Sequence, residues 1–177
     1  MRQGAARVLG IDPGTSVTGW GVVEPAGAEF RCVASGALVL SARLPLGARL
    51  SRIRVGVTDL CGLHAPAALA LEKAFVAHNV QSAFRLGEAR GAVLIAAAEA
   101  GVPVFEYAPA HVKSVVVGYG GADKTQMVRG IALRLGVEPS GRTDEADALA
   151  LALCHLIGAR LRALTRATPR RRGRAAL

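Results

Sequence analysis

Three apolar runs crowd into the first forty residues, at about 7–12, 18–24 and 30–40, and leave no room for a helix between them. The first two, within "VLGIDPGTSVTGWGVVE" (residues 8–24), are joined by a short Gly-rich turn and read as a hairpin. Connections this short permit antiparallel pairing only, since a parallel return needs a crossover of about a dozen residues. After residue 40 the pattern changes. Leu46, Leu50, Ile53, Val57 and Leu60 recur at helical spacing behind Pro45. "AALALE" (67–72) is a short buried strand, a helix spans about 79–100 up to Gly101, and "VPVFEY" (102–107) is another strand. Pro109 begins a short helical turn, "GYGGAD" (118–123) is a Gly-rich loop, and helices follow at about 124–135 and 144–164. An antiparallel start followed by strand–helix alternation predicts an α/β fold. It should be a mixed sheet, three antiparallel strands and then parallel ones, flanked by helices.

The chain has 177 residues, enough for one good core, and 51% of them are hydrophobic, which excludes a disordered chain. Its apolar stretches are broken by charge, Gly or Pro well short of the roughly 18 residues of a membrane span. No apolar leader segment follows Arg2 and Arg7, so no signal peptide is read. Cys32, Cys61 and Cys154 are odd in number and widely spaced. They suit core thiols in a reducing cytoplasm better than a zinc site or a disulfide frame. The net charge of +9 is uneven: seven arginines fall between Arg160 and Arg174, leaving about +2 for the rest. The expected organisation is one domain over 1–164 and a basic, disordered tail over 165–177. Such a tail suits either nucleic acid, through phosphate contacts, or simple solvation.

Acids mark the strand ends. Asp12 closes the first strand and Glu72 the fourth, at the edge of an α/β sheet where ligands collect. In "RTDEADALALALCH" (142–155), Asp144 and Asp147 share one helix face at i and i+3. The leucines and alanines behind them can seat that helix closely on the sheet. Taken singly, Asp12 reads as a turn acid beside Pro13 and Gly14, Glu72 as a partner for Lys73, and Asp144 as a helix-start acid. Taken together, four converging carboxylates repel one another and persist only where a cation offsets the repulsion. All-oxygen ligands favour a hard ion, Mg²⁺ or Mn²⁺. Two such ions about 3.5–4 Å apart can activate water and stabilise the leaving oxygen of a phosphodiester.

At this point the chain resembles a known family. "GIDPGTSVTGWGVV", "ALEKAF", "NVQSAFRLGEARG", "VKSVVVGYGGADKTQM" and "TDEADALALALCH" are similar, in order and spacing, to the motifs of the RuvC family of bacterial Holliday-junction resolvases. The likeness covers about 7–157. It implies a ribonuclease-H-like fold, a homodimer, and a structure-selective endonuclease that makes paired symmetrical nicks in four-way DNA junctions during recombination and repair. It implies two Mg²⁺ ions per subunit, with Mn²⁺ able to substitute, held by Asp12, Glu72, Asp144 and Asp147. The glycines beside Asp12 would then keep the turn low, so that a DNA backbone can come close.

The same likeness places Phe75 against bases near the junction, where stacking is worth about 1–3 kcal/mol. It places Lys113 and Lys124 near the scissile phosphate. Arg85 and Arg90 are candidates for backbone contacts, and His78 and Asn79 for sugar or base. Ala83, Gly87 and Gly91 form a smooth stripe that suits either the chain's own sheet or a partner helix. The resemblance favours the partner, because a twofold dimer offers one active site to each of two symmetry-related strands. It also implies association with the branch-migration proteins RuvA and RuvB. Two other readings stand beside this one. "DPGT" also fits the phosphate loop of actin-like ATPases and sugar kinases, but that fold needs two such domains. A junction-binding protein without catalysis would not need all four acids.

Overall fold

The computed structural model describes residues 6–73, 80–137 and 143–167. Five strands form one mixed sheet in the order β3-β2-β1-β4-β5. They are β1 (Val8–Asp12), β2 (Val17–Ala26), β3 (Glu29–Val39), β4 (Ala68–Glu72) and β5 (Val104–Tyr107). The first three pair antiparallel; β4 joins β1, and β5 joins β4, in parallel. Helices α1 (Leu46–His64), α2 (Val80–Glu99), α3 (Pro109–Val117), α4 (Lys124–Leu135) and α5 (Thr143–Ala167) complete the fold. The predicted mixed sheet is therefore present. The turn expected at Pro109 is a full helix of nine residues, and α5 runs three residues past the expected end of the domain. Residues 168–177 of the tail lie outside the described residues.

Two cores sandwich the sheet, and strand alternation assigns each side chain to one of them. Leu9, Ile11, Leu69 and Leu71 pack with α1 and α2. Val8, Ala68 and Ala70 pack with α3, α4 and α5. Continuing the period of two, Asp12 and Glu72 face the α5 side. The β1–β4 register pairs Ile11 with Leu71, so the two acids come next, on neighbouring strands.

Helix α5 lies directly on the glycines of the hairpin. A β-carbon on Gly10 would stand 1.9 Å from the carbonyl oxygen of Ala148, and one on Gly19 would stand 2.0 Å from that of Asp144. This corrects the expectation that the bare turn makes room for DNA. At Gly10 and Gly19 the space is filled by α5, and at Gly14 by the carbonyl of Val17. By length and composition the segment Thr143–Thr165 could cross a membrane, but Leu149, Leu151 and Leu153 are core residues here. Ser35 donates to the buried Glu145 at 2.6 Å and pins α5 to β3. Gly19→Val should lift the first turn of α5 and cost about 1–3 kcal/mol. A urea melt with an unshifted midpoint would contradict this packing. All three cysteines are free.

Candidate active site

Three turns of chain deliver the acids to one end of the sheet. The segment after Asp12 is held by Thr18, which is fully buried. Its hydroxyl donates to the Gly14 carbonyl at 2.8 Å and accepts from the Gly14 amide at 3.3 Å. From α1, Arg49 donates to the carbonyl of Thr15 at 3.1 Å. Glu72 ends β4, where the amide of Lys73 donates to the carbonyl of Tyr107 at 2.8 Å. Asp144 lies in the first turn of α5, directly over Gly19, and Asp147 follows three residues on.

The electrostatics show how close these groups are. Asp12 is pushed up to about 7, first by burial and then by the charges of Asp147, Glu72 and Asp144, with Lys124 opposing. Burial also raises Glu72, and Asp147 adds to it while Lys113 opposes. Burial raises Asp147 too; Lys124 and Lys113 counter it, and Asp144 reinforces it. Asp147 thus lies near Lys113, Lys124 and both strand-end acids.

The two lysines predicted to serve the site are brought into it. Lys113 and Lys124 line a cleft of about 200 Å³ with Glu72, Asp147, Met127 and Thr143. Lys124 is the first residue of α4, set by a capping box. Asp123 accepts from the amide of Gln126 at 2.8 Å, and the Gln126 side chain accepts from the amide of Asp123 at 2.9 Å.

The other predicted residues are placed differently. Arg85 is exposed on α2 and is absent from the described residues lining the acid cleft. Arg90, a candidate for DNA-backbone contact, lies beside Asp12 and Glu72 with both terminal nitrogens engaged. Its guanidinium bonds the Glu72 carbonyl and pairs with Glu106. Phe75, His78 and Asn79 lie outside the described residues. Sequence reasoning missed Thr18, Arg49 and Glu145, which hold the framework of the site. Only Thr18, inside the turn motif, carried any local signal.

Do these residues fit divalent ions? Among the described residues, no three His, Cys, Asp or Glu side chains come together closely enough to hold one ion. Mg²⁺ does not require three such ligands. It is ordinarily held by one or two carboxylates, keeps several waters and takes substrate phosphate oxygens. Two carboxylates, Glu72 and Asp147, in one cleft with Lys113 and Lys124, and a half-buried Asp12 beside Glu72, suit such an ion.

A five-stranded mixed sheet in this order, flanked by helices on both faces, is the ribonuclease-H-like architecture. The yeast mitochondrial Holliday junction resolvase shares the fold, with a TM-score of 0.65 at 11% identity, over 92% of this chain and 84% of that one. The sequence profile of "Crossover junction endodeoxyribonuclease RuvC" matches residues 8–155, and the chain belongs to the RuvC family. The enzyme of that name from Halorhodospira halophila is 50% identical over 152 residues, 84% of this chain and 89% of its own. That from Chloroflexus aggregans is 47% identical over 150 residues, 84% of this chain and 92% of its own. The structure of T. thermophilus RuvC in complex with Holliday junction substrate superposes with a TM-score of 0.83 at 38% identity, over 88% of this chain and 96% of that one.

Proposed function

We propose that this protein resolves four-way DNA junctions by hydrolysing one phosphodiester in each of two symmetry-related strands, with two Mg²⁺ ions held in each subunit by Asp12, Glu72, Asp144 and Asp147. The observation that carries this reading is the placement of those acids at one end of the sheet: Asp12 and Glu72 end neighbouring parallel strands, Asp144 lies over Gly19, and Asp147 shares a cleft with Glu72, Lys113 and Lys124. When bound, the ions supply an activated water and neutralise charge at the leaving oxygen. The chain's own residues do the rest. β1 and β4 hold Asp12 and Glu72 on neighbouring strands, and α5 adds Asp144 and Asp147 from above. Lys113 and Lys124 attract the phosphodiester into the cleft and offset its charge. Binding there relies on backbone and shape, with Phe75 assisting local distortion of the strands. Mn²⁺ is expected to substitute for Mg²⁺. The test is cleavage of an immobile four-way junction with Mg²⁺, beside a linear duplex of the same sequence. Paired nicks confined to the junction support the reading, and equal cleavage of the duplex rejects it.

The same reading makes the protein a homodimer joined through α2. The outer face of that helix exposes Val80, Phe84 and Ile95, and a β-carbon on Gly87 or Gly91 would meet nothing within 4 Å. Phe84 is 70% exposed, a costly placement for an aromatic side chain without a partner. Gly91→Trp should therefore leave the subunit folded and weaken the dimer. A dimer that stays intact by light scattering at micromolar concentration would count against this interface. Association with RuvA and RuvB is part of the proposal on the strength of family membership.

A further inference from the structure

We propose that Arg90 is a positioning residue, which sets the backbone of Glu72 so that its carboxylate can hold metal; this rests on the reading of Glu72 as a ligand. Arg90 projects from α2, and its Nη1 donates to the main-chain carbonyl of Glu72 at 2.6 Å. Its Nη2 pairs with the carboxylate of Glu106 on β5. The Arg90 side chain is 12% exposed, against 41% for Glu106. One guanidinium thus ties a helix to the ends of two strands, at the residue whose side chain enters the acid cleft. Arg90 also lines a cavity of about 160 Å³ with Asp12, Pro13, Glu72 and Lys73. It stands beside the acids while both of its terminal nitrogens are engaged.

The tie is needed because Glu72 sits where the sheet gives out. Pairing of β4 with β1 runs from Ala68 to Leu71 and stops there. Beyond Glu72 only the β5 side continues, through Lys73 and Tyr107. A strand end held on one side leaves its last side chain free to swing by more than a metal site tolerates. A planar, two-pronged donor can grip a carbonyl and a carboxylate at once, and the single ammonium of Lys reproduces that grip poorly. Groups that orient a ligand without touching the metal commonly account for 10–100-fold in metal affinity or activity.

The experiment compares wild type, Arg90→Met, Arg90→Lys and Glu106→Gln as full-length protein. Mn²⁺ binding is followed by the EPR signal of the free ion, and junction affinity is measured in EDTA. Arg90→Met should weaken Mn²⁺ binding by about 10–100-fold, with junction affinity unchanged. Arg90→Lys should recover part of the loss, and Glu106→Gln should show a smaller loss in the same direction. Should Arg90→Met fail to fold, the half-exposed Glu106→Gln decides by itself. Unchanged Mn²⁺ affinity in the folded variants overturns the inference. So does a loss of junction affinity with Mn²⁺ binding intact, which makes Arg90 a DNA contact. The wild-type arm separates the two layers: no Mn²⁺ bound there defeats the metal reading itself.

Discussion

Asp12→Asn is expected to leave a four-way junction bound and uncut. The substitution keeps the shape of the side chain and removes the charge at the centre of the site. Asp12 is the acid on which the other three converge, and it ends the strand packed under α5. On the proposed reading Asp12 would hold an ion that activates water, and its loss should cost at least about 4 kcal/mol of transition-state stabilisation, or about a thousandfold in rate. Junction affinity in EDTA should not fall, because Lys113 and Lys124 remain, and removing an acid from a DNA-facing cleft lowers repulsion. Gel-based cleavage at saturating protein, alongside a binding titration, checks both halves. Cleavage within about tenfold of wild type would remove Asp12 from the catalytic set.

The same substitution should stabilise the metal-free protein, and the sign follows from linkage. In the fold Asp12 is pushed up from 3.8 to about 7, so between those values the native state holds a proton that the unfolded chain has lost. Stability therefore falls as pH rises through that window, and the whole penalty is present above pH 7. At about 1.36 kcal/mol per pKa unit it amounts to at most about 4 kcal/mol. In EDTA, Asp12→Asn should melt several degrees above wild type at pH 8 and close to it at pH 4. Adding Mg²⁺ at pH 8 should raise wild type by offsetting the same repulsion and should do far less for the variant. Thermal melts at the two pH values decide it. A variant less stable than wild type at pH 8 would mean that burial and the neighbouring acids do not disfavour the charged Asp12 in the fold.

Each strand announced itself by an apolar run, and most helices by period and punctuation. Pro45 and Gly101 bound helices as expected. Local chemistry suffices for such features, because propensity, capping and burial period act over a few residues. Asp12 and Glu72 stood out for a related reason, since a charged residue at the end of a buried strand is costly without a use, and Asp144 and Asp147 stood out by sharing one helix face.

The glycines were read correctly as a device for close approach and assigned the wrong visitor. Nothing in "DPGTSVTGWG" says that the backbone arriving over Gly19 belongs to α5, more than a hundred residues later. Arg90 shows the same limit. On a helix rich in exposed positions it resembles any surface arginine. It becomes a tie to Glu72 only once α2, β4 and β5 have been assembled.

The sequence by itself determined the mixed sheet, the places of Asp12, Glu72, Asp144 and Asp147 along the chain, and the family. Only the tertiary structure decided that Lys113 and Lys124 share a cleft with Glu72 and Asp147, and that Thr18, Arg49 and Glu145 hold the frame. The reason is physical. Periodicity and strand ends are local properties, whereas electrostatic coupling and close packing depend on which distant segments meet across the sheet.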